Sequence, residues 1–306
     1  MAKLSKVAAK LHSQALDLVY SDKHLRLEDR HFILNNFHES ATNMNGLAGA
    51  FFTPEGLAND VSVEVPDCKS MIDLCAGIGR LAFASRERAE RIVCVELNPE
   101  YAEVGKRVLP EAEWIISDVF TLGDLGRFDV AISNPPFGAV KTGTAFNGQY
   151  TGASFEYKLI EVASKIAKYG VFIVPQSSAP FRYSGERAYR EEVTQECQKF
   201  MTQSGIVLGH NCGLDTSAYL NEWHGVSPVC EIVLCDFAGC QTEEVRVLEQ
   251  APVVTPAPVA ESAPVVESAP VVESAPVTST VTKRAPAKVV HSPSPSHPQL
   301  SLFDAA

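Results

Sequence analysis

Met71-Ile72-Asp73-Leu74-Cys75-Ala76-Gly77-Ile78-Gly79-Arg80 is an apolar run that breaks into two closely spaced glycines and resumes as a helical pattern. The order predicts a buried strand, a tight turn and a helix, the repeating unit of open parallel α/β sheets. Gly77 and Gly79 let the backbone come close to a ligand at the C-terminal edge of the sheet, where such folds bind cofactors. The third glycine of the dinucleotide-binding pattern is missing, and no Lys-Ser or Lys-Thr pair follows to grip a phosphate. NAD and ATP are both disfavoured.

Around this unit, residues 49 to about 245 alternate short β-rich runs with helical stretches, which predicts a mostly parallel sheet with crossover helices. The later part is expected to hold a helix over 185–203 and a strand over 205–209. Residues 1–48 read as a helical extension, with Val7, Leu11, Ala15, Leu18 and Val19 near helical spacing.

Three more strand ends carry chemistry. Val93-Cys94-Val95-Glu96 places an acid about twenty residues beyond the glycine turn, where a carboxylate accepts from both ribose hydroxyls. Ser117-Asp118 ends the next strand, in position to hydrogen-bond an adenine amine. Phe128 to Ser133 then runs into Asn134-Pro135-Pro136-Phe137. The amino group of a base is a poor nucleophile because its lone pair is delocalised into the ring. The Asn134 side-chain oxygen and the Pro135 carbonyl, held in a fixed direction by proline geometry, can accept both amine hydrogens and restore that lone pair. Phe137 would stack on the base face. A proline turn ending a buried strand would also account for these four residues taken alone.

With these motifs in order, residues 48 to 240 resemble the class I S-adenosylmethionine-dependent methyltransferases, in the amino-methylating branch that carries an (N/D)PP(F/Y/W) motif. The resemblance implies a Rossmann-like α/β fold with a seven-stranded, mostly parallel sheet and S-adenosylmethionine as cofactor. By the family pattern Asp73, Gly77 and Gly79 line the methionine part, Glu96 takes the ribose and Asp118 the adenine. Cys75, Ala76, Leu97, Val119 and Asn134 complete the expected cofactor pocket. Phe51-Phe52-Thr53-Pro54 looks like the FxTP segment of N6-adenine DNA methyltransferases, which implies that Phe52, Thr53 and Pro54 help close that pocket.

Composition sets limits on the substrate. The 306 residues carry a net charge of −11, and the part before the C-terminal repeats is itself acidic. Any grip on nucleic acid must therefore come from a local patch. Arg182, Tyr183, Arg187 and Arg190 interleave basic and aromatic side chains beside the expected catalytic edge, and Lys141 opens a glycine-rich run expected to be a mobile flanking loop. A solvated arginine face on a helix fits the first of these stretches equally well. No large target-recognition domain is visible. The eight cysteines form no CxxC pair, and the five-residue steps between Cys230, Cys235 and Cys240 do not suit zinc. Free thiols, no metal, no membrane segment and a reducing cytoplasmic setting are expected.

From about residue 246 the composition changes. Glu261-Ser262-Ala263-Pro264-Val265-Val266 recurs at 267–272 and in part at 273, and residues 246–298 read as a disordered Pro/Ala/Val/Glu linker. The end, residues 299–306, contains Gln299-Leu300-Ser301-Leu302-Phe303, which resembles the peptide that docks on the bacterial DNA polymerase sliding clamp. Gln299, Leu300, Leu302 and Phe303 would make that contact, at the end of a flexible tether reaching roughly 40 Å. The leading expectation is methylation of adenine N6 in DNA by a clamp-tethered enzyme. Structured or ribosomal RNA, a protein glutamine amide, cytosine N4 and an inactive cofactor-binding scaffold stay open as alternatives.

Overall fold

The computed structural model describes residues 4–38, 51–141 and 144–238. The expected linker over 246–298 and the clamp-binding-like peptide over 299–306 lie outside the described residues, as does Cys240.

Among the described residues the strands are β1 (Cys68–Leu74), β2 (Ala89–Glu96), β3 (Glu113–Ile116), β4 (Phe128–Ser133) and β5 (Ala167–Pro175), followed by the short pair β6 (Phe181–Arg182) and β7 (Arg190–Glu191). Last come β8 (Gly209–His210) and β9 (Cys230–Asp236). Seven of them form one sheet in the order β3-β2-β1-β4-β5-β9-β8. The first five are parallel, β9 runs antiparallel to β5, and β8 antiparallel to β9. This is the Rossmann-like, seven-stranded and mostly parallel sheet that the resemblance implied. The direction of winding reverses between β1 and β4, and a crevice opens beyond the carboxyl ends of strands at such a reversal.

Helices cover both faces, so the central strands are apolar on both sides. On one face lie α1 (Lys6–Val19), α2 (Leu27–Asn36), α3 (Glu55–Glu64), α4 (Arg80–Ala84) and α5 (Pro99–Val108). On the other lie α6 (Phe155–Ile166) and α7 (Gln195–Ser204). Successive strand side chains alternate between two buried clusters, as pleating requires. Ile92 and Cys94 join the first cluster while Val93 and Val95 join the second. The first cluster also takes in Ala15, Val19, Ile33, Leu34 and Phe37, so the N-terminal helices share the core of the sheet. Val7, expected on the apolar stripe, is exposed.

Two expectations for the second half change. Only the end of the helix expected over 185–203 forms, because Thr194 caps α7 by accepting from the Cys197 N–H at 3.2 Å. The residues before it fold back as the β6–β7 hairpin. The strand expected over 205–209 shrinks to Gly209–His210, since Gly205 takes the left-handed conformation (φ 70°) that ends α7. The helix α3, which begins directly after Pro54, was not foreseen.

One close approach fixes the edge of the sheet near the glycine turn. The Trp114 ring on β3 lies over Gly105 of α5, where a Cβ would come within 2.0 Å of it. The indole Nε1 donates to the Leu109 carbonyl at 3.2 Å, so the ring has little freedom to move aside. Gly105→Ala is expected to destabilise the fold by about 1–3 kcal/mol through overpacking, read as a lower Tm and altered tryptophan fluorescence. An unchanged Tm would show that the ring is loosely seated.

Candidate active site

One cavity lies beyond the carboxyl ends of β1 to β4. Of the residues expected at the cofactor, Phe52, Thr53, Asp73, Cys75, Ala76, Gly77, Glu96, Leu97, Asp118, Val119 and Asn134 all line it. Pro54 and Gly79 do not. Pro54 is the N-cap of α3. Gly79 is the N-cap of α4 at φ 84°, with its Cβ position 3.0 Å from the Trp114 ring.

The glycine turn is built from left-handed residues. Cys75 at φ 62° is the one non-glycine residue with positive φ among those described, and Gly77 follows at φ 58°. Such backbone strain concentrates at functional sites. The turn is fastened by the Ala76 N–H donating to the Val95 carbonyl at 2.9 Å. A Cβ on Gly77 would press to 3.2 Å from the Phe52 ring, which leans over the turn from the FxTP-like segment.

Two buried carboxyls face this turn. Glu96 Oε2 accepts from the Gly77 N–H at 2.7 Å, and Oε1 accepts from the Asn98 N–H at 2.8 Å. Burial pushes the Glu96 carboxyl up to about 7, against the pull of those N–H groups. Asp73, 1% exposed, is held well above the usual carboxylate range by burial. The Ala82 N–H opposes that shift and the neighbouring Glu96 adds to it. The Cys75 thiol is pushed up by burial and by Glu96, Asp73 and Asp118, so it stays protonated and is a poor nucleophile. Asp118 caps the turn Val119–Thr121, its Oδ1 accepting from the Phe120 N–H at 3.0 Å.

Asn134 has a defined orientation. Its Nδ2 donates to the Phe51 carbonyl at 3.1 Å and to Thr53 Oγ1 at 3.0 Å. A backbone carbonyl can only accept, so the amide nitrogen must be the atom facing Phe51. Both amide hydrogens are thereby used, and Oδ1 remains an acceptor on a residue that lines the cavity. Pro136 lines the cavity as well, together with Val140, Lys141 and Phe155. Pro135 is buried, and Phe137 packs half-buried against the first core cluster, outside the cavity lining.

Of the residues expected at nucleic acid, Arg182 and Arg190 stand opposite each other in the β6–β7 hairpin and share Glu192 as a partner. Lys141 is exposed at the cavity. Arg182 pairs with Glu192 at 2.6 Å, and Arg190 pairs with Glu186 at 3.3 Å and Glu192 at 3.2 Å. Tyr183 donates its N–H to the buried Glu231, and Arg187 is exposed. Acids therefore neutralise much of this stretch. The glycine-rich loop is fastened in its second half, where Glu161 accepts from the Tyr150 N–H at 2.9 Å and the Tyr150 hydroxyl donates to Glu196 at 2.6 Å. The local glycine content concealed those long-range anchors.

Arg80 was missed. It is buried, lines the cavity, and donates to Asn35 Oδ1 at 2.6 Å and to the Leu34 carbonyl. Glu55 accepts from Asn35 Nδ2 and His31 Nδ1, both at 2.7 Å. These contacts bind α2 to the side of the sheet that carries the glycine turn. An arginine directly after the glycine turn was the available signal, but its partners lie some forty-five residues away. Among the described residues no His, Cys, Asp and Glu cluster could hold a metal ion, and no helix is long and apolar enough to cross a membrane.

No known protein family and no curated protein sequence matches the chain. Many solved structures are similar in part. A protein of Listeria monocytogenes provisionally named a class I S-adenosylmethionine-dependent methyltransferase is 12% identical, covers 76% of this chain and 81% of its own, and gives a TM-score of 0.48. One from Pyrococcus horikoshii provisionally named an RNA methyltransferase is 18% identical, over 62% of this chain and 89% of its own, at a TM-score of 0.42. The N-terminal domain of EvdMO1, crystallised with SAH, is 15% identical over 74% of this chain and 95% of its own, at a TM-score of 0.39.

The Glu96 shift has a definite sign. Its folded pKa of about 7 lies above the ordinary 4.5, so the folded protein favours the protonated carboxyl. That contribution to stability is complete below pH 4.5 and is lost as pH rises through about 7. The Tm of the cofactor-free protein is expected to fall between pH 5 and pH 8, with a shallower slope in Glu96→Gln. Identical slopes would show that Glu96 is not desolvated in solution.

Proposed function

We propose that this chain is an S-adenosylmethionine-dependent methyltransferase acting on an exocyclic amine, specifically N6 of adenine in DNA. The observation that carries the reading is the Asn134 amide, whose hydrogens are both spent on Phe51 and Thr53. The oxygen left over selects a hydrogen-bond donor, which an amine is and a carbonyl is not. The Pro135 carbonyl accepts no hydrogen bond from the described residues and supplies the second acceptor. Together they draw both amine hydrogens away and return the nitrogen lone pair.

The buried groups fit the cofactor. Asp73 offers a carboxylate to an ammonium and Glu96 one to a ribose diol, and the donors such a ligand brings would favour the charged forms that burial opposes. When bound, the cofactor supplies a methyl group on a sulfonium, which leaves as a neutral thioether. The chain therefore has little acid–base work to do. Its residues align the amine and exclude water. Phe52 and Thr53 close the pocket from above the glycine turn, and Pro136 and Phe155 bound the side where the amine enters.

DNA as the polymer rests on the resemblance of Phe51-Phe52-Thr53-Pro54 and of the C-terminal peptide. A duplex base would have to be flipped out at a cost of a few kcal/mol. With the chain acidic and Arg182 and Arg190 paired, intrinsic DNA affinity is weak on this reading. A tether ending in Gln299, Leu300, Leu302 and Phe303 would raise the local concentration on clamp-loaded DNA.

Asn134→Ala is expected to lower methyl transfer by at least about 100-fold while cofactor binding survives. Labelled transfer to DNA, RNA and protein in parallel, followed by nucleoside mass spectrometry, tests the substrate. Methyladenosine in RNA alone would move the reading to a structured-RNA enzyme, and cofactor binding without transfer to any polymer would leave a scaffold. Removing residues 299–306 is expected to abolish clamp pull-down and leave transfer to naked DNA unchanged. Retained pull-down would discard the tether.

A further inference from the structure

Gly138 directly follows the Asn134–Phe137 motif, at φ 73° with open space where a Cβ would lie. The start of α6 holds it on both sides. Its carbonyl accepts from the Phe155 N–H at 2.8 Å, and its N–H donates to Glu156 Oε2 at 2.8 Å. The other oxygen, Glu156 Oε1, accepts from Ser178 Oγ at 2.8 Å. Ser178 sits in the turn Gln176–Ser178 that leaves β5, and its carbonyl accepts from the Tyr157 hydroxyl at 3.0 Å.

Glu156 is 1% exposed and Ser178 6% exposed. Neither donor to this carboxyl is a cation, an expensive choice for a buried acid if packing were its only duty. Two other buried acids fasten neighbouring loops in the same way. Glu161 takes the Tyr150 N–H and Glu231 takes the Ser184 N–H. Glu156 differs in what it fastens, because the backbone it holds is one residue from the amine-gripping motif. Its clasp joins the exits of β4 and β5 at the residue directly after that motif.

We propose that Glu156, clasped by Ser178, is the positioning residue for the Asn134–Phe137 motif, setting the geometry of transfer without touching cofactor or amine. This rests on the amine-methyltransferase reading above. Glu156→Gln keeps an oxygen for the Gly138 N–H and offers its NH2 to Ser178 Oγ, so transfer within about threefold of wild type is expected. Glu156→Met keeps the volume but leaves the Gly138 N–H unpaired, and single-turnover transfer is expected to fall about tenfold or more. Cofactor Kd should stay within about twofold of wild type in both.

Ser178→Ala, which removes half of the clasp, should lie between the two and decides the matter if Glu156→Met does not fold. Wild-type transfer by folded Glu156→Met, or by Ser178→Ala in its absence, would overturn the proposal. So would equal losses in the Gln and Met variants, or a loss of cofactor affinity that matches the loss of rate. Failure of the underlying reading looks different, because the wild-type protein then transfers no methyl to any amine.

Discussion

The reversal of strand order between β1 and β4 is the constraint on which the site depends. The two strands lie side by side and parallel, yet the chain winds away from them in opposite directions. No crossover covers the gap beyond their carboxyl ends, so a crevice forms there without being carved by side chains. The glycine turn after Leu74 and the Asn134-Pro135-Pro136-Phe137 exit after Ser133 meet across it. Ser133 Oγ donates to the Leu74 carbonyl and fastens the two strand ends to each other.

Within the crevice, polarity is divided by function. The β1–β2 side holds two buried carboxyls whose charge burial resists, a costly arrangement until a ligand with donors arrives. The β4 side holds a neutral acceptor, the Asn134 oxygen, oriented because the amide's own hydrogens go to Phe51 and Thr53. Outside the crevice, Glu156, Glu161 and Glu231 fasten loops by accepting backbone N–H groups. Loops at the catalytic edge thereby keep satisfied backbone groups without extending the sheet.

Much of this was legible from local pattern. β1, β2 and β4 announced themselves because apolar residues on both faces leave a continuous run, and Phe128–Ser133 matches its expected span residue for residue. Eleven of the thirteen residues expected at the cofactor line the cavity: nine stand at or just after a strand end or in the glycine turn, positions that spacing fixes, and Phe52 and Thr53 stand in the segment before α3. The stretch 185–203 misled because its composition suits a helix, while Arg190–Glu191 pair with Phe181–Arg182 as a hairpin and Glu192 holds Arg182. The 141–152 loop looked free because its anchors, Glu161 and Glu196, lie well outside it.

The sequence by itself determined the strand–turn–helix repeat, the edge of the sheet that carries the chemistry, and the residue types placed there. These follow from short-range periodicity and from glycine and proline, whose backbone limits act within a few residues. Only the tertiary structure decided which way the Asn134 amide faces, that Arg80 ties α2 to the pocket, and that Glu156 holds the motif's far end. Each of those depends on a partner far along the chain or on a choice between two atoms of one group. No local pattern encodes such a choice, because burial and hydrogen-bond satisfaction settle it only once the layers have packed.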